Sequence, residues 1–221
     1  GLIKMNIPLM LETKLNELVI NDGRITGAIV ETAGRSMGIK CAKGIVIAAG
    51  GFENNSAMRS KFLGQQPKKD YTSGSPENTG DGIKAGMQVG AALDMMDDAW
   101  WAPTFLSPEN GPQIVIFERG KPGNIIVNSL GQRYANEADP YNELVKQMHE
   151  SHRSGSSSIP SYFIFDSVYK ENYPIAGMLP GITPQRHIDS GFIMQANSLA
   201  DLAKQCDIPP DNLIATLDRF N

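Results

Sequence analysis

Three short segments set small, polar or ionisable residues where a ligand would need them. The first is Ala48-Ala49-Gly50-Gly51-Phe52, which closes an apolar run. Small side chains beyond the carboxyl end of a buried strand leave room for a ligand, and glycines let the backbone approach it. A strand that simply ends in a tight turn has the same pattern. The second is Asn78-Thr79-Gly80-Asp81-Gly82, ahead of a helical stretch. Helix starts attract anions, but Asp81 fills this one with a like charge. A hydroxyl-rich partner, such as a ribityl chain, fits better, because a carboxylate accepts its hydrogen bonds. Asp81 reads equally well as a plain helix cap. The third runs from Pro122-Gly123 through Asn124-Ile125-Ile126-Val127-Asn128 and Gly131-Gln132-Arg133-Tyr134-Ala135-Asn136-Glu137 to Pro140-Tyr141. Arg133 and Glu137 are spaced to pair and fix a hairpin. Tyr141 is restrained by the proline before it; a lone tyrosine there packs more often than it reacts.

Other chemistry is thinly represented. His149 and His152 lie one helical turn apart in His149-Glu150-Ser151-His152. That spacing can hold a metal, but no further ligand cluster joins them, so they read as a solvated helix face and no metal site is expected. His187 stands alone in a loop and receives no role. The sequence contains no Gly-x-Ser-x-Gly elbow, no P-loop and no Gly-x-Gly-x-x-Gly. A dinucleotide bound here would need its phosphate-gripping turn from elsewhere.

Composition narrows the class. The 221 residues are 41% hydrophobic and 20% charged, which excludes disordered and collagen-like chains. Twenty Lys and Arg against 24 Asp and Glu give a net charge of −4, and a nucleic-acid partner needs a basic face instead. The longest apolar run, residues 45–52, is far too short to span a bilayer, and Gly1-Leu2-Ile3-Lys4 does not open a signal peptide. Cys41 and Cys206 match no metal or redox spacing. Both read as reduced core thiols of a cytoplasmic protein.

The elements that must position these residues follow from pattern. Strands are expected over 8–13, 17–20, 25–31 and 37–41, with a hairpin turn at Asn21-Asp22-Gly23. Residues 44–49 do not alternate; a continuous Ile/Val run bounded by glycine predicts a strand buried on both faces, as in a parallel sheet. A short helix capped by Asn54 or Asn55 is expected to Leu63, then a polar loop over 64–77. A helix over 81–93 would carry Gly82, Gly86 and Gly90 as a flat stripe for close packing, at a cost of about 1 kcal/mol per glycine. The texture changes near Trp100-Trp101-Ala102-Pro103, which puts a domain boundary at about residue 101. Beyond it we expect a strand over 124–128, a turn at 129–131, helices over 141–153, 198–206 and 210–220, a strand over 162–165, and loops over 154–158 and 177–184. The chain opens in a strand-rich stretch and stops inside a helix, so it is read as cut at both ends, with a site divided between what is here and what is not.

Taken in order, Gly44-Ile45-Val46-Ile47-Ala48-Ala49-Gly50-Gly51-Phe52, Asn78 to Gly82, Asn124 to Asn128 and Gly131 to Glu137 resemble the flavoprotein family of fumarate reductase flavoprotein subunits and 3-ketosteroid dehydrogenases. Fumarate reductases carry a substrate-binding His where this chain has Ala102, and an Arg proton donor where it has Tyr141. Tyr141, with Tyr162-Phe163-Ile164-Phe165-Asp166, Gly191-Phe192-Ile193, Leu199-Ala200-Asp201-Leu202-Ala203 and Leu217-Asp218-Arg219-Phe220-Asn221, is similar instead to the 3-ketosteroid dehydrogenase branch.

The resemblance implies an α/β plus α+β chain. Residues 1–100 would be the later part of a Rossmann-like FAD domain, and 101–221 the start of an inserted α+β cap domain carrying part of the substrate site. It implies FAD as the cofactor of the intact protein, with Leu15, Ala48, Ala49, Gly50, Gly51, Thr79, Gly80 and Asp81 contributing to its binding and with Ala49 and Asp81 on opposite sides of one ligand site. Tyr141 would be the base that removes the α-proton of a steroid ketone while a hydride goes to FAD, and an electron acceptor would reoxidise the cofactor. Without a pyrophosphate turn, this stretch alone is expected to hold little or no FAD and to be inactive. Trp100-Trp101 would either border a flat apolar cleft or seal the domain junction. A fumarate-reductase-like or enone-reducing flavoprotein and a non-catalytic binding module are the alternative readings.

Overall fold

The computed structural model of the chain describes residues 2–64 and 71–221. The loop expected over 64–77 therefore lies partly outside the described residues. The chain is mixed α/β, with small sheets and helices, in two compact units, Gly1–Ala99 and Trp100–Asn221.

In the first unit a 3-10 turn, Leu2–Met5, precedes three antiparallel strands in sequential order: β1 (Thr13–Asn21), β2 (Arg24–Thr32) and β3 (Arg35–Lys40). The β1–β2 hairpin closes through Asp22 and Gly23, with φ of 49° and 73°. Two left-handed residues match the twist of the flanking strands, so the turn legible in Asn21-Asp22-Gly23 forms. A second turn of the same kind, Ala33-Gly34, joins β2 to β3; no Asn or Asp announces it. The strand expected over 8–13 is absent, and β1 starts only at Thr13. Pro8 has no N–H to give a ladder, and no described strand runs alongside.

Residues 44–49 also differ from expectation. They pair with no described strand, and Val46 is 94% exposed. The Ile/Val run carries strand propensity, but a strand needs a partner for its backbone groups, and the ladder to β2 ends at the Cys41 N–H.

Helix α1 (Ser56–Leu63) starts where the Asn55 side chain accepts the Met58 N–H at 3.0 Å. Helix α2 (Asp81–Gln88) is shorter than the 81–93 stretch expected. Its end is a Schellman motif. Gly90 stands in the left-handed region at φ 82°, the Gly90 N–H reaches Met87 O, and the Ala91 N–H reaches Gly86 O. Gly90 thus stops the helix and does not extend a packing stripe. Of the three glycines, Gly82 makes the close approach: a Cβ there would lie 2.6 Å from Ile47 Cγ2 and 3.1 Å from Ala49 Cβ.

The second unit has four-residue strands, as its Pro- and Gly-rich texture foretells. Strand β4 (Thr104–Ser107) pairs with β5 (Gly111–Ile114), and β6 (Asn124–Val127) with β7 (Tyr162–Phe165). Helices α3 (Tyr141–Arg153), α4 (Ser167–Asn172), α5 (Gln185–Asp189), α6 (Leu199–Gln205) and α7 (Pro210–Phe220) complete it. The alternating side chains of β6 and β7 feed two clusters. Ile125, Val127 and Ile164 pack with Ala203, Cys206, Ile208 and Leu213. Phe163 and Phe165 pack against Tyr169, Ile175 and Met178. A two-stranded ribbon is marginal alone; apolar cover from both groups of elements stabilises this one.

Gly80, the N-cap of α2, has φ 79° and ψ 21°. A Cβ there would meet Met58 Sδ at 2.5 Å and Phe52 Cβ at 3.0 Å. Left-handed strain alone costs a side chain about 1–2 kcal/mol. Gly80→Ala is expected to lower stability by at least about 2 kcal/mol, read from the shift in the urea midpoint.

Candidate functional site

Two loops of the first unit are joined by hydrogen bonds. The Gly80 N–H donates to Gly51 O at 3.0 Å, and the Asn54 N–H to Asn78 O at 3.0 Å. Asn55 Nδ2 donates to Thr79 O at 2.8 Å, and Asn54 Nδ2 to Ser75 O at 2.6 Å. Asn78 Nδ2 reaches Glu53 Oε1 at 2.5 Å. These bonds, with the Gly82 contact on Ile47 and Ala49, bring Ala49, Gly50 and Gly51 together with Thr79, Gly80 and Asp81. Glu53, Asn54, Asn55 and Asn78 are the connecting residues that sequence reasoning missed as a group. Asn54 and Asn55 are legible as cap candidates and Asn78 as part of a motif; that they join the two loops shows only once the loops are adjacent.

Asp81 is the first residue of α2 and is not its cap, which is Gly80. Thr79 Oγ1 donates to Asp81 Oδ1 at 3.0 Å, Lys84 Nζ lies 3.7 Å from Oδ1, and Lys14 Nζ lies 4.0 Å from Oδ2. The carboxylate is one-third exposed. Its Oδ2 therefore retains acceptor capacity for a hydroxyl. Lys84, one helical turn on, and Lys14, from β1, set two ammonium groups beside it, so an anion here would not meet a bare negative charge. Leu15 is half-buried on β1, and α2 packs against that strand. Ala48, next to Ala49, is exposed.

Tyr141 lies in the second unit as the first residue of α3, half-buried, after Pro140 at φ −49° and ψ 136°. The phenol oxygen accepts a hydrogen bond from the Trp100 indole N–H. Trp101 packs edge-on against His149 of the same helix, with centroids 5.0 Å apart. The polar segment leading into Tyr141 is held by charge. The buried Glu137 carboxylate takes the Ile126 N–H at 2.7 Å and both Nε and Nη2 of Arg133, the latter at 2.7 Å. The Arg133–Glu137 pair foreseen from spacing is therefore present. Arg119, 6% exposed, donates to the carbonyls of Glu137 and Asp139. Nothing in the spacing of Arg119 announced this role.

Three other tyrosines are held protonated. Burial, opposed by a Ser161 hydrogen bond and reinforced by Glu137, pushes Tyr134 up to about 12. Burial also raises Tyr169, with Glu118 and Tyr173 adding to it, and raises Tyr162, with Cys206 and Asp207 adding to it.

The solvated face holds for His152, which is exposed, but not for His149, which is half-buried. His149 packs on Trp101, and His152 Nδ1 accepts the N–H groups of Ser158 and Ile159, each at 3.3 Å. His187 lies in α5, buried, and not in a loop. Among the described residues no group of three or more His, Cys, Asp and Glu could hold a metal ion. Cys206 is buried as expected, but Cys41 is half-exposed at the end of β3 and is not a core thiol. An open depression of about 720 Å³ lies in the second unit, lined by Arg133, Asn136, Asp139, Gln147 and Arg219 among others. Neither Tyr141 nor any of the residues expected to bind a cofactor lines it. No described helix is long and apolar enough to cross a membrane.

The FAD binding domain family matches the chain over residues 1–221. A 3-oxosteroid 1-dehydrogenase of Mycobacterium tuberculosis is 40% identical over 232 residues, covering all of this chain and 41% of that protein. A 4-oxocyclohexanecarboxylate 2-dehydrogenase of Sinomonas cyclohexanicum is 32% identical over 208 residues, covering 90% of this chain and 34% of that one. The crystal structure of 3-ketosteroid delta1-dehydrogenase from Sterolibacterium denitrificans, in complex with 1,4-androstadiene-3,17-dione, superposes with a TM-score of 0.92. It is 34% identical and covers 98% of this chain and 40% of that one. The chain thus spans about two-fifths of the length of the first of these relatives.

Arg119→Leu removes a buried donor from two carbonyls just before Tyr141. Hydrogen bonds from charged groups contribute about 1.5–3 kcal/mol each, and the bond to Glu137 O is buried. The variant is expected to lose roughly 3 kcal/mol of stability, measured by chemical denaturation of the intact protein.

Proposed function

The chain belongs to the FAD binding domain family, and on that premise we propose that the intact protein is a flavin-dependent dehydrogenase that introduces a double bond beside the carbonyl of a 3-ketosteroid or similar cyclic ketone. In this reading residues 1–100 are the later part of a Rossmann-like FAD domain and residues 101–221 the start of an inserted α+β cap domain. What carries the reading is Tyr141: it begins α3 on a restrained backbone and its oxygen accepts the Trp100 N–H. Ala102 and Tyr141 stand where a dicarboxylate reductase would need His and Arg, which disfavours fumarate as substrate.

The residues present suit the hydroxyl-bearing part of FAD. Asp81, one-third exposed with a free acceptor position on Oδ2, would take a ribityl hydroxyl; Thr79 orients that carboxylate. Ala48, Ala49, Gly50 and Gly51 offer small side chains and exposed backbone, with Leu15 and Gly80 on adjoining segments. FAD, when bound, supplies the acceptor for the hydride lost from the substrate.

The chain's own part in the chemistry is proton transfer. A carbonyl acidifies the C–H on its neighbouring carbon. Acting as phenolate, with its own proton passed to solvent, Tyr141 Oη removes that proton, forming O–H as C–H breaks, and the electron pair moves toward the carbonyl oxygen. Loss of hydride from the next carbon completes the double bond. An unperturbed tyrosine has a pKa near 10, so a positioned donor is needed to favour the form that accepts a proton. An electron acceptor completes the cycle. A cytoplasmic location belongs to the same reading, supported by the free thiols of Cys41 and Cys206.

In the intact protein, Tyr141→Phe is expected to cut 1,2-dehydrogenation by about 10³-fold or more while the yellow cofactor stays bound; near-normal turnover would remove Tyr141 from the mechanism. Asp81→Ala is expected to weaken FAD binding by about 10–100-fold, followed by flavin fluorescence on dilution. Undiminished retention of the cofactor would take Asp81 out of its site.

A further inference from the structure

We infer that Trp100 is a positioning residue for the proton transfer at Tyr141, holding the phenol oxygen in the orientation from which it accepts a proton. The inference rests on the dehydrogenase reading above. An indole nitrogen can only donate, so Tyr141 Oη is the acceptor in this pair. The phenol's own proton must then point away from Trp100. With its N–H on one side of the oxygen, Trp100 leaves the other lone-pair direction for the substrate C–H.

Within this chain the contact is not part of a packed core. The Trp100 side chain is 85% exposed, and no core cluster includes it. The indole is anchored through its neighbour: Trp101 is seated edge-on against His149 in the helix that Tyr141 begins. Pro140 and the Arg119 contacts fix the other partner. Donor and acceptor are thus each set by a separate restraint on α3 or its entry. In the step itself, the C–H bond on the ketone's α carbon breaks, the Tyr141 O–H bond forms, and the electron pair passes toward the carbonyl oxygen. Trp100 neither gains nor loses a proton.

Trp100→Phe keeps the ring and removes the N–H. The test uses the intact, flavin-loaded enzyme with its cofactor chemically reduced, so that no hydride can leave. Exchange of the α-hydrogen of a saturated 3-ketosteroid is followed in D2O by NMR. Trp100→Phe is expected to slow exchange about tenfold, with the steroid dissociation constant and melting temperature unchanged. In turnover, deuterium at the α carbon should give a larger isotope effect on kcat than in the wild type. Wild-type exchange in Trp100→Phe would overturn the role of Trp100 and leave the Tyr141 reading standing. Slower exchange accompanied by equal losses in steroid affinity or melting temperature would overturn it too, by making Trp100 a packing residue. Exchange undiminished in Tyr141→Phe would overturn both, because Trp100 acts only through that phenol.

Discussion

A carboxylate withdrawn from water must have its charge answered, and in this protein the buried Glu137 sets the terms for everything around Tyr141. The segment from Asn136 to Pro140 has almost no apolar side chain with which to pack. Its shape is held by polar contacts instead: Glu137 takes the Ile126 N–H and a two-point grip from Arg133, while Arg119 binds two carbonyls from the other side. Removing one partner of such a buried pair costs more than the pair contributes, because an unmatched charge remains. The arrangement therefore resists deformation more than it adds stability. Resistance is what a reactive side chain at the start of α3 requires, since small displacements of a reacting atom reduce rates steeply.

The first unit holds its polar segments mainly through amides, with the Glu53 carboxylate accepting from Asn78. Asparagine amides and backbone N–H groups join the loop after residues 44–49 to the loop before α2. Gly82 then lets the helix approach Ile47 and Ala49 closer than any side chain would permit. The result places a partly exposed carboxylate, two lysines and a stretch of open backbone in one neighbourhood. That combination suits a ligand with hydroxyls and a flat body. The unpaired apolar run of residues 45–47 lies beside it, with strand-forming side chains and backbone groups that no described strand satisfies.

Much of this was legible in advance. Local signals reached far: Asn21-Asp22-Gly23 as a turn, Asn55 as a cap, the bounds of α3, β7 and α7, and the Arg133–Glu137 pair. Each depends on interactions within a few residues, where spacing fixes geometry. The departures have different sources. The Ile/Val run over 44–49 needs a distant partner strand that no described segment supplies. Gly90 and His187 turned on local helix geometry: a Schellman stop after α2 and a single short helix, α5, where a loop is expected.

The amino-acid sequence by itself determined the class of the molecule and the identity of its candidate site residues: a mildly acidic mixed α/β chain, small residues at 48–51, a carboxylate at 81 with Lys84 one helical turn on, a phenol at 141. Only the tertiary structure decided what those groups meet from elsewhere in the chain. It put Lys14 beside Asp81, Arg119 behind the entry to α3, and the Trp100 indole on the Tyr141 oxygen. Side-chain chemistry is written residue by residue, whereas hydrogen bonding and charge act over a few ångströms between segments whose separation along the chain carries no such distance.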